Sequence, residues 1–307
     1  ALRRVKPSGL LRGYTRGDTP IFPAARPCKM PRPEPDRCSD LPFRALWPFF
    51  AISFGLTWGS LALVLAVPDA MEALFGPVRA GHPLFVLSVY APAMAALLLV
   101  ARHAGGGGVL RFLSRLGRWR APAWAVALVL LGIPAIYIAG AWAKGSIDTF
   151  APFGGLPAAL AAIAFMLVLG PVEELGWRGV ALPLLQRRMA PLWAGLVLGA
   201  VWGLWHLPAF LLPGTPQSGW GFLPFLAGAI AVSVILTPVF NATRGSLFWA
   251  AAFHFQLNNP LWPDAQPHDA ALFAAVAAAM AWAGRRRMLA GAASAAREVI
   301  PPPRRAR

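Results

Sequence analysis

Charged residues are scarce in this chain of 307 residues. Asp, Glu, Lys and Arg make up 13% of the sequence and hydrophobic residues 57%, whereas soluble domains carry about 25% charged residues. An apolar chain of this length is too large for one soluble core of the same composition. The deficit therefore excludes an ordinary soluble protein and predicts a multi-pass membrane protein.

Acidic residues are much rarer than basic ones. Twelve Asp and Glu stand against 28 Lys and Arg, which gives a formal net charge of +16. The basic residues flank apolar stretches and do not gather on a soluble module. In a membrane protein this placement indicates topology and contact with anionic lipid. We therefore expect anionic lipid as a partner and no nucleic acid.

Cysteine is nearly absent, and so is any apolar stretch near the N-terminus. Cys28 and Cys38 fit no common zinc spacing, and we assign them no role. A signal peptide needs about 7–15 consecutive apolar residues, which residues 1–43 do not supply. Their content of Pro and Arg predicts a disordered basic tail.

The body of the chain contains eight apolar stretches. Each is long enough, or nearly long enough, to cross a hydrocarbon core of roughly 30 Å. The predicted spans are 47–67, 83–101, 122–140, 157–185, 191–212, 222–240, 246–261 and 270–284. The sequence therefore predicts an all-α, polytopic transmembrane bundle of about eight spans.

The charge of the connections alternates along the chain. Every second connection is basic, beginning with the N-terminal tail and continuing through 102–121, 187–188, 244 and 285–287. The connections between them carry Asp69, Glu72, Arg79, Lys144, Asp148, Asp264 and Asp269. Because basic loops stay on the cytoplasmic side, we expect both termini to be cytoplasmic in a cell (inner) membrane.

The loop 102–121 has the pattern of an amphipathic helix. Apolar residues fall at helical spacing, and arginines occupy the other face. The apolar set is Val109, Phe112, Leu113, Leu116 and Trp119, and the basic set is Arg111, Arg115 and Arg118. This pattern predicts a helix lying on the anionic inner leaflet.

Two adjacent acidic residues lie inside a predicted span. Glu173 and Glu174 occupy the fourth span, where each charge costs about 2.5–3.5 kcal/mol on insertion scales. Arg178 follows Glu174 by four residues, so the two share a helix face in the favourable order. Glu173 is turned by about 100° and is free to point into the bundle. Folding alone gains nothing from this pair, which indicates a function.

Other polar residues lie in the fifth and seventh spans: His206, His254 and Asn258. Each alone has a structural explanation, since a buried histidine can pack, an asparagine can join helices, and Glu174 with Arg178 can be a plain ion pair. Together they form a hydrolytic set. A carboxylate and an imidazole can activate water, while a second imidazole and an amide can stabilise an oxyanion.

Three motifs carry a family resemblance. They are Glu-Glu-x-x-x-Arg at 173–178, aromatic-x-x-x-His at 202–206 and His-x-x-x-Asn at 254–258. Together they resemble the CPBP family of intramembrane CAAX proteases and bacteriocin-processing proteins. Eukaryotic members of the Ras-converting type remove the last three residues of prenylated proteins. The resemblance covers about residues 157–261.

The resemblance implies a role for each residue. Glu173 and His206 would activate the attacking water, and His254 and Asn258 would line the oxyanion site. Glu174 and Arg178 would support the first pair. The implied substrate is a membrane-embedded or lipid-anchored peptide or protein.

The second motif departs from the family pattern at one position. It usually begins with Phe, and this chain has Trp202. Because the aromatic wall is preserved, we expect the exchange to affect the shape of the pocket and not its chemistry.

The family is described both as glutamate-dependent and as a metalloprotease. Glu173, His206 and His254 would make an acceptable zinc set with an open fourth position. However, the chain has no His-Glu-x-x-His motif, and a zinc site would still need a separate base. We therefore favour a site without a cofactor, with zinc as the alternative.

These observations divide the chain into four parts. Residues 1–43 form the basic tail, and 44–156 form N-terminal membrane helices with the cytoplasmic amphipathic segment. Residues 157–284 form the catalytic core, and 285–307 form a basic C-terminal tail.

The competing interpretations of the function are a non-catalytic membrane scaffold or bacteriocin self-immunity factor with the same fold, and a transporter. Transporters often contain internal repeats, which the sequence does not show.

Overall fold

The computed structural model describes residues 40–303. Over this range every regular element is helical. Eight apolar helices form the body of the protein, and we number them in chain order. They are α1 Phe43–Ala66, α2 Pro83–Gly117, α3 Ala123–Lys144, α4 Leu156–Leu185, α5 Pro191–Leu211, α6 Phe222–Ala242, α7 Leu247–Leu257 and α8 His268–Ala283. The predicted all-α, polytopic class is confirmed. Cys28, Cys38 and nearly all of the predicted disordered tail lie outside the described residues.

Six of these helices, α1–α6, are long and apolar enough to cross a membrane. The seventh and eighth predicted spans correspond to the shorter helices α7 and α8. Helix α7 has 11 residues and is therefore about 16 Å long, roughly half of the hydrocarbon core. The chain leaves the helix at Asn258, which has non-helical backbone angles. Such irregular backbone is tolerated at membrane depth where protein or a cavity surrounds it.

The connections form two groups, one at each end of the bundle. At the first end, Gln186 accepts a hydrogen bond from Asn241 at 2.7 Å, and Ser246 donates to the carbonyl of Arg118 at 2.6 Å. Because the basic connections meet here, we call it the basic end. At the other end, Lys144 pairs with Asp264 at 2.6 Å. Since a cavity opens there, we call it the mouth end.

The predicted amphipathic segment is the last part of α2. Gly105 interrupts the helix with φ +62°, a backbone conformation that glycine adopts without strain. Beyond it, Phe112 packs in the core, while Leu116 and Trp119 are exposed. The prediction was wrong for Arg115, which is fully buried and does not face lipid headgroups. A helical pattern cannot distinguish a polar face on lipid from one covered by protein.

The described part of the C-terminal tail packs on the basic end. Ala296, Val299 and Ile300 are buried. The backbone N–H groups of Val299 and Ile300 donate to Asp40 at 3.2 and 2.9 Å. Arg187 also pairs with Asp40. The segment therefore covers this end of the bundle.

Helices α5 and α6 approach closely through a row of glycines. Gly195, Gly199 and Gly203 repeat every four residues on one face of α5. A Cβ at Gly199 would lie 2.6 Å from the Cα of Ile230, so only glycine fits. Small residues at this spacing are typical of membrane helix interfaces. The close contact sets the position of the end of α5, which carries Trp202 and His206.

Candidate active site

Helix α4 is irregular where the two glutamates lie. The regular helix Leu156–Leu169 is followed by a 3-10 turn Pro171–Glu173, a short α-helical turn and a π-helical turn Trp177–Ala181. Proline has no N–H to continue the helical hydrogen bonds, and π-turns within helices are frequent at functional sites. Glu173 and Glu174 are both buried, with 4% and 1% exposure.

Glu174 binds two partners through one oxygen. Its Oε1 accepts from Arg178 Nη1 at 3.0 Å and lies 2.6 Å from His254 Nδ1. The ion pair predicted from the spacing of four residues is therefore present. His254 joins it from α7, and we call these three residues the Glu174 cluster. Because a carboxylate only accepts hydrogen bonds, Nδ1 of His254 carries a proton and its Nε2 remains for other contacts.

Glu173 is held by two indole groups. Its Oε2 accepts from Nε1 of Trp202 at 2.9 Å and from Nε1 of Trp177 at 3.3 Å. The expectation that Trp202 affects only the shape of the pocket was incomplete, because a phenylalanine has no donor for this bond. Tryptophan in place of the family's phenylalanine therefore adds a hydrogen bond to the carboxylate of Glu173. The guanidinium of Arg178 also lies over the ring of Trp202, with Cζ 5.1 Å from the ring centroid.

His206 lies at the end of α5 in an aromatic surround. Its ring packs against Trp202, Trp205 and Phe225, with centroid distances of 5.2, 4.8 and 5.1 Å. Nδ1 lies 2.8 Å from the carbonyl oxygen of Trp202. A carbonyl only accepts, so Nδ1 carries the proton, and Nε2 of the neutral ring is an acceptor.

Asn258 follows α7 and lies against α4 at Gly170. A Cβ on Gly170 would be 2.1 Å from Nδ2 of Asn258 and 3.4 Å from Cδ2 of His254. Gly170 therefore leaves the space that both side chains occupy. The sequence did not identify this glycine, although its position three residues before Glu173 was visible.

One cavity of about 890 Å³ brings four predicted residues together: Glu173, His206, His254 and Asn258 all line it. Glu174 and Arg178 do not line it and lie behind its wall. The cavity extends to the mouth end, where Trp220, Trp262 and the Lys144–Asp264 pair surround it. The arrangement separates side chains that can touch a ligand from those that hold them.

The alternative zinc set does not assemble. Among residues 40–303, no three His, Cys, Asp or Glu side chains lie close enough together to hold a metal ion. Nδ1 of His254 and Oε2 of Glu173 are engaged by Glu174 and the two indoles, while Nε2 of His254 and Oε1 of Glu173 remain free among the described residues. Glu173, His206 and His254 are thus not assembled as a zinc set in this arrangement, and a site without a cofactor stays a prediction.

The fold and the site together define a multi-pass helical membrane protein with a buried carboxylate and imidazole centre. Residues 155–259 match the family model described as type II CAAX prenyl endopeptidase Rce1-like. This match confirms the family resemblance predicted from the three motifs, all of which lie within that range. The chain is also 32% identical over 146 residues to CAAX prenyl protease 2 of Methanococcus maripaludis. The aligned stretch is 45% of this chain and 51% of that relative, so the chain spans about half the length of the relative.

Proposed function

We propose that the protein is an intramembrane endopeptidase that hydrolyses a peptide bond of a membrane-associated protein or peptide. The observation that carries the proposal is the single cavity lined by Glu173, His206, His254 and Asn258. These side chains supply a base and oxyanion donors on facing helices, as peptide hydrolysis requires. The family match and the name of the archaeal relative support the same reaction class.

Glu173 and His206 activate the water. The indoles of Trp202 and Trp177 hold Oε2 of Glu173, which leaves Oε1 to accept a proton from water. Nε2 of His206 is the acceptor that orients the same water. The water oxygen bonds to the carbonyl carbon, the C–N bond then breaks, and the departing amine takes the proton from Glu173.

His254 and Asn258 stabilise the oxyanion of the tetrahedral intermediate. Nδ1–H of His254 donates to Glu174. In the proposed mechanism the ring is doubly protonated, because the adjacent carboxylate stabilises its positive charge, and Nε2–H then donates into the cavity. The amide of Asn258 supplies a second donor. Arg178 balances the charge of Glu174 at 3.0 Å, which keeps His254 in a fixed orientation.

The substrate is a membrane-embedded or lipid-anchored polypeptide. The aromatic and apolar walls around His206 and the apolar helices of the bundle suit a substrate that is already in the bilayer. Processing of CAAX-type or related sequences is the reaction class that the relative's name suggests. A cell (inner) membrane is the location that we propose.

Substitution of the water-activating pair tests this function. Glu173→Gln and His206→Ala should each lower kcat by about 10²–10⁴-fold, the usual contribution of acid–base catalysis. The measurement is cleavage of membrane peptides, found by comparing the membrane peptidome of wild-type and variant cells. Glu72→Gln, at an exposed helix position, is the matched control and should cleave normally. Full cleavage by the Glu173 variant, with normal membrane insertion, would favour a non-catalytic scaffold or immunity factor.

Chelation tests the cofactor prediction. The proposed mechanism uses only side chains, so cleavage by the purified protein should persist after exhaustive treatment with chelators. The assay compares treated and untreated enzyme at equal concentration. Loss of cleavage that added zinc restores would overturn the mechanism without a metal.

A further inference from the structure

The proposed water-activating pair is packed against helices that lie outside the family-matched residues 155–259. We infer that Thr57 of α1 is a positioning residue for His206 and Glu173, and that it acts through the indole of Trp205. This inference rests on the proposed function, because it explains how the same pair keeps its geometry. It also gives a role to α1 and α2, which carry none of the three family motifs.

A proline in α2 provides the acceptor to which Thr57 is bound. Pro92 lies inside the helix and has no N–H, so the carbonyl of Ser88, four residues earlier, loses its helical donor. The hydroxyl of Thr57 donates to this carbonyl at 2.8 Å. Serine and threonine side chains satisfy backbone groups that proline frees in membrane helices. The hydroxyl proton of Thr57 is therefore engaged by α2, and its oxygen is left to accept.

The oxygen of Thr57 accepts a hydrogen bond from α5. Nε1 of Trp205 donates to Oγ1 of Thr57 at 2.9 Å, and an indole N–H can only donate. Both side chains are buried, so water does not replace this bond. The next residue of α1, Trp58, donates from Nε1 to the backbone carbonyl of Trp205 at 3.2 Å. Helix α1 thus holds both the side chain and the backbone of the residue before His206.

The ring of Trp205 connects to both members of the pair. It packs edge-on against His206 and against Trp177, with centroid distances of 4.8 and 5.6 Å. Nε1 of Trp177 donates to Oε2 of Glu173 at 3.3 Å. Phe49, also from α1, packs edge-on against Trp177 with centroids 5.5 Å apart. A rotation of the Trp205 indole would therefore displace the His206 ring directly and the Glu173 carboxylate through Trp177.

A second buried hydroxyl on α1 provides the matched comparison. Ser53 lies one turn before Thr57, on the same face of the helix, and is fully buried. Its Oγ has no hydrogen-bond partner among residues 40–303. Thr57, in contrast, joins α1 to α2 and to α5. Removing the hydroxyl of Ser53 therefore controls for the loss of a buried hydroxyl from α1 without breaking the contact with Trp205.

Four variants test the inference. Thr57→Val keeps the branched shape but removes the acceptor of the Trp205 indole, and Trp205→Phe removes the donor of the same bond. Thr57→Ser keeps the hydroxyl and should restore the bond, and Ser53→Ala is the control. For each variant, kcat and KM are measured with a membrane peptide identified by the peptidome comparison. Membrane insertion and thermal unfolding are measured on the same preparations.

We expect Thr57→Val and Trp205→Phe to lower kcat by about 10- to 100-fold at unchanged KM, because a small displacement of a reacting group has an effect of this size. Thr57→Ser and Ser53→Ala should cleave like the wild type. Thr57 also lines the cavity, so a raised KM at unchanged kcat would mean that its hydroxyl contacts the substrate, which would overturn the inference. An equal fall of kcat in Ser53→Ala would overturn it as well.

The reactivity of His206 tests the same inference without cleavage. Its ring lines the cavity, and diethyl pyrocarbonate modifies accessible neutral imidazoles. Mass spectrometry follows the modification of the purified protein, with the exposed His268 as the internal reference. We expect Thr57→Val to raise the rate at His206 relative to His268, and Ser53→Ala to leave the ratio unchanged. An unchanged ratio in Thr57→Val would overturn the inference, whereas a raised ratio in a protein that cleaves no peptide would contradict the proposed function alone.

Discussion

Two fully buried arginines lie side by side in this protein and have opposite surroundings. Arg115, at the basic end, uses all three guanidinium nitrogens, which donate to the carbonyls of Gly245, Gly179, Val299 and Arg178. Arg178, in the Glu174 cluster, donates through Nη1 to Glu174. Its Nε and Nη2 find no acceptor in the part of the chain that the structure describes.

The difference distinguishes a buried charge whose donors are all satisfied from one whose donors are not. Buried polar groups are normally satisfied, and unsatisfied ones carry a free-energy cost. The donors of Arg115 are satisfied by carbonyls from three segments. These bonds join the C-terminal segment to the rest of the bundle. Arg178 keeps unsatisfied donors beside the residues proposed to cleave the peptide. We therefore expect substitutions around Arg178 to change cleavage, and substitutions of Arg115 to change stability.

Among the residues around the two arginines, the largest effect is expected at Glu174. Glu174→Gln removes the negative charge that Arg178 and His254 share, and it leaves a buried arginine without a counter-charge. Breaking a buried pair costs about 3–5 kcal/mol of folding free energy, and loss of an oriented oxyanion donor lowers kcat by about 10²–10³-fold. Thermal unfolding and kcat of the purified protein measure the two effects separately.

The double variant Glu174→Gln with Arg178→Gln isolates the functional part of that effect. It removes both charges and should recover most of the lost stability, because no unpaired charge remains. Cleavage should stay as low as in the single variant, since His254 still lacks a negatively charged acceptor. Recovery of both stability and cleavage would mean that Arg178 is as structural as Arg115.

A smaller effect is expected at Gly170, which leaves space for Asn258. In Gly170→Ala the new Cβ would lie 2.1 Å from Nδ2 of Asn258, so the amide must move away from the position proposed for the oxyanion. We expect kcat to fall by about 10²-fold with little change in thermal stability. Gly55→Ala, whose Cβ would meet no atom within 4 Å, is the control. Equal kcat in both variants would place Asn258 outside the site.

A still smaller effect is expected from Trp202→Phe. The substitution keeps the aromatic wall but removes the N–H that donates to Glu173 at 2.9 Å. A hydrogen bond to a charged group contributes about 1.5–3 kcal/mol, so kcat should fall by about ten-fold or somewhat more. KM should stay unchanged because the ring still packs against His206 and His254. A change in KM without a change in kcat would mean that Trp202 only shapes the pocket and that its bond to Glu173 does not matter for cleavage.

The comparison also shows which contacts the sequence can predict. The Glu174–Arg178 pair was predictable, because a spacing of four residues places both side chains on one helix face. The contact of His254 with Glu174 joins residues 80 positions apart, and it depends on how α7 packs against α4. The bond from Trp202 to Glu173 likewise depends on packing between helices.

The surroundings of Arg115 were not predictable for a different reason. Its place on a basic helix face suits both lipid headgroups and a protein cover, and periodicity is the same in the two cases. The cover comes from Gly245 and Val299, which lie far along the chain. The fold class follows from long apolar stretches, whereas the function of a buried charge depends on partners distant in sequence.

The smallest effect on cleavage is expected from Arg115→Met, which tests the structural side of the comparison. Methionine fills part of the same volume but donates no hydrogen bond, so buried carbonyls lose their donor at about 1–3 kcal/mol for each group left unsatisfied. The melting temperature should therefore fall, and the C-terminal segment should become more accessible to protease. The kcat per folded molecule should change by less than about two-fold. The reason is that Arg115 donates to the backbone carbonyl of Arg178 and does not touch the guanidinium of Arg178. A large fall in kcat at unchanged stability would show that the two arginines act as one unit.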